Sequence, residues 1–154
     1  MKIYIASDHA GFYLKKQLIQ YLEIKGLEVE DLGPNELNPD DDYPDFIIPC
    51  AQKVSQQIAK GKDTRGIVIG SSGQGEAIAA NKVKGIRAAV INYGNPEIAR
   101  LVKEHNDANI LSLGARFLSP DDAKKAVTVW LDAKFEGGRH QRRIDKVSRL
   151  EEKK

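Results

Sequence analysis

Apolar and polar positions along the chain follow two alternating rhythms. Residues 2–7 (KIYIAS) predict a first strand. Over 12–25, Leu14, Leu18, Tyr21 and Leu22 recur at helical spacing, and Gly26 is a stop signal. LEVEDLG at 27–33 predicts a second strand. Residues 34–42 (PNELNPDDD) carry two prolines and an acidic run, the composition of a solvated loop. A helix is predicted over 44–60, with Val54 and Ile58 four apart; Pro49 fits it only near the start or as a kink. GIVIG at 66–70 is the short apolar run of a parallel strand buried on both faces.

SSGQG (71–75) ends that strand and EAIAANKV (76–83) begins a helix. IRAAVI (86–91) predicts a fourth strand. Pro96 opens a helix that ends near His105, and NILSLG (109–114) predicts a fifth strand. Ser119-Pro120-Asp121-Asp122 is a helix start: a capping hydroxyl, proline at the first position, and acids against the dipole. That helix carries Ala126, Val127, Val129, Trp130 and Leu131 and stops before Gly137-Gly138. A last helix is predicted over 139–152. Its apolar stripe, Ile144, Val147 and Leu150, is thin for a core helix and suits a partner subunit or the domain surface.

Five strands alternating with helices imply a three-layer α/β fold around a mainly parallel sheet. Ligands in such folds bind beyond the carboxyl ends of the strands. That rule points at Ser7-Asp8-His9, Gly70–Glu76, Asn92–Asn95 and Gly114–Arg116, where polar residues and glycines gather.

Composition narrows this picture. A chain of 154 residues and 17.1 kDa suits a single domain spanning 1–154. No apolar run approaches a membrane span. The start MKIYIASDHAGF lacks the zones of a signal peptide, and the lone Cys50 excludes an internal disulfide and a cysteine-built zinc site. A cytoplasmic protein is expected. The whole chain carries a net charge of +2. Residues 137–154 hold seven Lys/Arg against three Asp/Glu, a local +4 that leaves the remainder at −2. Such a tail suits an anion: a phosphate, a nucleic acid or an acidic partner. It has no interleaved aromatics and no nucleic-acid-reading motif, so nucleic acid is not the expected partner.

The candidate chemistry has two readings at each point. Gly70-Ser71-Ser72-Gly73-Gln74-Gly75 joins a buried strand to a helix, as a phosphate or oxyanion cradle would, and as a tight turn would. It lacks the Lys-Ser/Thr of a P-loop. Glu76 is either a first-turn acid that offsets the dipole or a general base; the helix end lowers its pKa and burial raises it. Asp8-His9 can bind sugar hydroxyls or a phosphate, or cap a loop. His105 suits a structural place near a helix end. Three separated histidines without carboxylates at ligand spacing argue against a metal site. Arg139 and Arg143 share a helix face at i, i+4 and can grip a phosphate bidentately, or form a solvated face.

DHAGF (8–12), DYP (42–44), the glycine loop with IAANK (78–82), GIRAA (85–89), EHND-N (104–107, 109) and GGRHQRR (137–143) stand in this order. The ordered set resembles the type B ribose-5-phosphate isomerases, in a superfamily that includes galactose-6-phosphate isomerase subunits. The resemblance runs from Met1 to about residue 150. It implies a Rossmann-like domain with a five-stranded parallel sheet. It also implies a homodimer or tetramer with active sites between subunits, and a segment over about 137–154 that crosses to the neighbour. No metal and no organic cofactor are implied.

The implied reaction interconverts ribose 5-phosphate and ribulose 5-phosphate through a cis-enediolate. Many family members carry a cysteine base at the end of the third strand, where this sequence has Gly70. The chain resembles the branch with a Glu base, matched by Glu76. Ser72 then contributes to the anion hole, with Ser71 and the amides around Gly73 and Gly75. Asn106 resembles the enediolate-stabilising residue. Asp8 and His105 resemble the ring-handling pair, and which of them acts is left open. Tyr43 resembles the aromatic lining the sugar. His9, Arg116, Arg139 and Arg143 resemble the phosphate ligands, the last two reaching across from the partner. A hexose 6-phosphate isomerase, of galactose or allose type, and a non-catalytic phosphosugar-binding module remain alternatives.

Overall fold

The computed structural model describes residues 1–152, and its elements follow the predicted alternation. β1 (Lys2–Ser7) leads through a 3-10 turn (His9–Gly11) into α1 (Phe12–Ile24). Then come β2 (Glu28–Asp31), α2 (Pro44–Ala59), β3 (Thr64–Gly70) and α3 (Gln74–Ala80). β4 (Ala88–Ile91), α4 (Pro96–Glu104), β5 (Ile110–Gly114), α5 (Pro120–Asp132) and α6 (Arg139–Glu152) complete the chain.

The differences from prediction have local causes. β2 is shorter than 27–33 because it is an edge strand whose pairing with β1 runs only from Glu28 to Asp31. β3 starts earlier because its register with β1 extends back to Lys2↔Thr64. α3 starts two residues earlier, inside the glycine loop. Gly73 adopts φ 78°, a left-handed conformation that turns the chain straight into the helix. β4 starts only at Ala88, whose backbone is bracketed by the side-chain amide of Asn81. α5 ends at Asp132, since Ala133 is extended. Pro49 lies within α2 on an exposed position.

All strand pairs are parallel, in the order β2-β1-β3-β5-β4. Alternate side chains leave each strand on opposite faces. Ile3, Ile5, Ile67, Ile69, Leu111 and Leu113 meet α1, α4 and α5 through Leu18, Leu22, Ala99 and Trp130. Tyr4, Ala6, Val68 and Ile110 meet α2 and α3 through Ile47, Cys50, Val54 and Ala80. Two cores on one sheet make the three-layer fold. The Ser119 hydroxyl accepts from the Asp122 N–H, with Pro120 at the first helical position, as the sequence predicts.

α6 is the exception to this packing. It makes few contacts with the rest of its own chain, and His140 is its buried residue among those described. Val147 and Leu150 stand 63% and 66% exposed, too open for residues that stabilise a monomer.

Candidate active site

The chain leaves β1 toward β2 on one side and returns as β3 on the other, so the strand order reverses between β1 and β3. A ligand crevice belongs at the carboxyl ends of such a pair. Asp8 follows β1 there and the loop 71–73 follows β3. Asp8 is buried; its Oδ1 accepts from the N–H groups of Ala10 and Gly11 and so holds the 3-10 turn.

The glycine loop is fastened from beneath through its carbonyls. Gly70 O accepts from Ala115 N–H at 2.8 Å and Ser71 O from Arg116 N–H at 3.0 Å. Ser72 O accepts from the Asn92 amide at 3.2 Å, and Gly73 O from the buried Ser112 hydroxyl at 2.7 Å. Ser72 Oγ accepts from Gln74 N–H. With the carbonyls engaged, the N–H groups are the loop's available polar edge.

Glu76 lies in the first turn of α3 and is only 4% exposed. Its carboxylate rests against Gly70: a Cβ built there would meet Oε1 at 1.9 Å and Cδ at 2.2 Å. Burial lifts the Glu76 carboxyl above its ordinary pKa, and the negative Asp8 nearby adds to the lift. Backbone hydrogen bonds at Glu76 and Gly73 pull it down and do not prevail. Of the two opposed effects read in the sequence, burial is the larger.

Tyr43 stands at the start of α2 with its ring on the loop; a Cβ at Gly75 would lie 3.0 Å from Tyr43 Cζ. His9 Nδ1 is 2.6 Å from Asp41 Oδ1, which also accepts from the His9 backbone N–H at 3.1 Å. That bond raises the His9 pKa, and Arg116 lies near enough to oppose the rise. Arg116 itself is exposed on the segment after β5. Asp8, His9, Tyr43, Ser71, Ser72, Gly73, Gly75, Glu76 and Arg116 therefore share the carboxyl end of the sheet.

The remaining predicted residues do not join them within one chain. His105 caps the end of α4 and the exposed Asn106 follows it, so both precede β5. They lie at the amino end of the sheet, a strand length of roughly 16 Å from the loop. There they meet α6. The rings of His105 and His140 stack with centroids 4.3 Å apart and planes 5° from parallel. A cleft of about 510 Å³ lies beside them, lined by Arg87, His105, Asn106, His140, Arg143 and Ile144 among others. Arg139 and Arg143 are exposed on α6. Burial, helped by His105 and Arg139, lowers the His140 pKa.

The expectation that the histidines stand apart from one another and from carboxylates is corrected by the fold. His105 and His140 are 35 positions apart in the chain yet stacked, and Glu136 Oε2 lies 3.9 Å and 3.5 Å from their Nε2 atoms. His9 has Asp41. Each set brings ligand atoms close together. Nitrogen lone pairs in parallel stacked rings do not converge on one point, and Asp8 Oδ1 and His9 Nδ1 are already bonded. Sequence reasoning missed Asp41 and Ser112, while Asn92 fell within the stretch 92–95 that the strand-end rule singled out without a role of its own. Only the acidic run 40–42 signalled the first, and it reads equally as solvated loop.

Residues 3–147 match the Ribose/Galactose Isomerase family. Ribose-5-phosphate isomerase B of Escherichia coli is 39% identical over 153 residues, covering 99% of this chain and 98% of that protein. Ribose-5-phosphate isomerase B of Mycoplasma genitalium, in a crystal structure with bound ribulose-5-phosphate, superposes with a TM-score of 0.93 at 44% identity. That match covers 99% of this chain and 97% of the other. The enzyme of the same name from Clostridium thermocellum gives a TM-score of 0.89 at 46% identity, covering 99% of each chain. A match over nearly the whole length, in sequence and in fold, means that this chain belongs to the ribose/galactose isomerase family.

Proposed function

We propose that the protein interconverts ribose 5-phosphate and ribulose 5-phosphate, with Glu76 as the carbon base. The observation that carries this reading is the Glu76 carboxylate, buried at the sheet's carboxyl edge, pressed on Gly70 and raised in pKa by that burial. A carboxylate moved toward neutrality is a better match for removing a carbon acid's proton at working pH. The relatives named for this reaction, one seen with ribulose-5-phosphate bound, support the same substrate.

The furanose ring opens first, as Asp8 or His105 takes the O1 hydroxyl proton and returns one to the ring oxygen. Glu76 then removes the C2 proton. The C–H electron pair forms the C1=C2 bond, and the C1 carbonyl oxygen becomes the enediolate oxyanion. N–H groups of the loop around Ser71, Ser72, Gly73 and Gly75, the Ser72 hydroxyl and Asn106 stabilise that charge. Glu76 delivers the proton to C1 while the O2 hydroxyl proton passes to O1, leaving the C2 ketone. Tyr43 lines the sugar. His9, Arg116, Arg139 and Arg143 hold the phosphate. Every step is a proton transfer, so the scheme requires no redox cofactor.

The site is shared between two chains. His105, Asn106, Arg139 and Arg143 of the partner subunit complete the loop-end site of the first chain. Their separation from Glu76 within one chain supports this, as do the sparse packing of α6 and its exposed Val147 and Leu150. Exposed Ile78 on α3, close to the loop, offers apolar surface for the same contact.

Proton NMR of ribose 5-phosphate with the protein in D2O tests the reading. Ribulose 5-phosphate should form, with deuterium entering at the reacting carbon. Absence of product with turnover of a hexose 6-phosphate would reassign the substrate. Binding of phosphosugars with no turnover of either would make the protein a binding module.

A further inference from the structure

We infer that Asp41 is a positioning residue for His9, fixing the imidazole's orientation and holding it as a cationic donor whose Nε2–H faces the phosphate site. The inference rests on the reading of His9 as a phosphate ligand and adds a residue that this reading does not contain.

The geometry is specific. One oxygen, Asp41 Oδ1, takes both the His9 ring Nδ1–H at 2.6 Å and the His9 backbone N–H at 3.1 Å. Residue and ring are thereby held from one point across 32 positions of chain. With Nδ1 committed inward, Nε2 is the nitrogen left for a ligand. The two partners differ in access: the Asp41 side chain is 5% exposed and that of His9 36%. The buried member therefore orients the open one.

Asp41 also needs His9. Its Oδ2 is buried and has no hydrogen-bond partner among the described residues. Burying a carboxylate with one bare oxygen is costly, and a cation held against it offsets that cost. The imidazolium supplies that cation, and the pair is stable when His9 is protonated. The other charged groups facing His9 are Asp8, which favours the imidazolium, and Arg116, which opposes it. A mere tether for the loop 34–42 would work with an uncharged acceptor. A device for presenting positive charge would not.

Asp41→Asn separates these roles, because it keeps an acceptor oxygen and removes the charge. The measurements are the His9 titration by NMR and the pH dependence of kcat and KM for ribose 5-phosphate, on the full chain. Wild-type His9 should titrate above the ordinary histidine value. In Asp41→Asn the midpoint should fall, because the bond to the Asp41 carboxylate is the largest cause of the rise. KM should rise at neutral and alkaline pH and rejoin wild type at acid pH, where both imidazoles are charged, with kcat little altered.

Asp41→Glu, which retains the charge, should keep the raised midpoint. An unmoved His9 midpoint in Asp41→Asn, or a KM penalty equal at every pH, overturns the inference. The wild-type chain alone gives a second readout should Asp41→Asn not fold. Affinity for inorganic sulfate, which does not titrate here, should fall as pH rises through the His9 midpoint, and a flat profile overturns the inference. Failure of the phosphate reading is seen separately: His9→Ala would then leave KM unchanged while the NMR midpoint still reports on Asp41.

Discussion

The Glu76 carboxylate fills the space that a side chain at Gly70 would occupy. A Cβ at residue 70 would fall 1.9 Å from Glu76 Oε1, far inside any contact distance. The two positions therefore exclude one another: a base on the strand end and a carboxylate folded onto that strand end cannot share the site. Gly70 is what permits Glu76 to be buried there.

Gly70→Ala should accordingly displace Glu76 and lower kcat by roughly 10²-fold or more, the scale of losing a positioned base. The double variant Gly70→Ala with Glu76→Gln should be no slower than Glu76→Gln alone, because both changes act on one group. Additive losses in a kinetic double-mutant cycle would show that Gly70 acts independently of Glu76.

Glu76→Gln should lower kcat by roughly 10²- to 10⁴-fold while KM stays close to wild type. Ribulose 5-phosphate formation by NMR is the direct readout. Turnover near the wild-type rate would remove Glu76 from the carbon-base role.

The same variant has a stability signature whose sign follows from burial. A carboxyl whose folded pKa is raised binds its proton more tightly folded than unfolded. Stability then falls as pH rises from the ordinary Glu value through the folded one. Glu76→Gln removes that loss. Its melting temperature should exceed wild type at neutral pH, and the gap should close below the ordinary Glu pKa. A constant gap across pH would show that ionisation is not the cause.

Mixing chains tests the shared site. Glu76→Gln chains and Arg139→Ala/Arg143→Ala chains should each be weak alone. After random exchange into dimers, about one site in four should regain both an intact loop end and an intact partner contribution. Activity of that order should appear in a refolded equimolar mixture. No recovery despite mixed dimers seen by native mass spectrometry would argue for sites within single chains.

Ser112→Ala removes the hydroxyl that bonds Gly73 O at 2.7 Å in a buried setting. Gly73 O keeps its bond from the Ala77 N–H at 3.1 Å, so losing one of its two donors should cost about 0.5–1.5 kcal/mol in denaturant unfolding. Loosening the loop that forms the proposed anion hole should also lower kcat more than it raises KM. An effect on stability alone would confine Ser112 to a structural role.

Much of this was legible in the chain. Periodicity and helix-start signals located the five strands and six α-helices among the described residues, though not the 3-10 turn His9–Gly11, because burial on a sheet face or helix stripe leaves its mark at each residue. Parallel topology then named the loop end of the sheet, and with it Asp8, the glycine loop and Glu76. The direction of the Glu76 shift was not legible. Helix position and burial oppose each other, and only packing onto Gly70 decides between them. The pairing of His9 with Asp41 was equally hidden, since an acidic loop reads as solvated until its path back over the sheet is known.

Local quantities are readable along the chain: element type, capping at Ser119, the basic tail, and a motif order that implied the family. These depend on residues near one another in the chain. The tertiary structure alone decided which distant groups meet. It stacked His105 on His140, seated Glu76 on Gly70, and set Asn106 and the α6 arginines at the opposite end of the sheet from the loop. Contacts such as those of His105 with His140 are set by the crossing of strands and the packing of helices on two faces, and the seating of Glu76 on Gly70 by the turn between β3 and α3, none of which a linear pattern records.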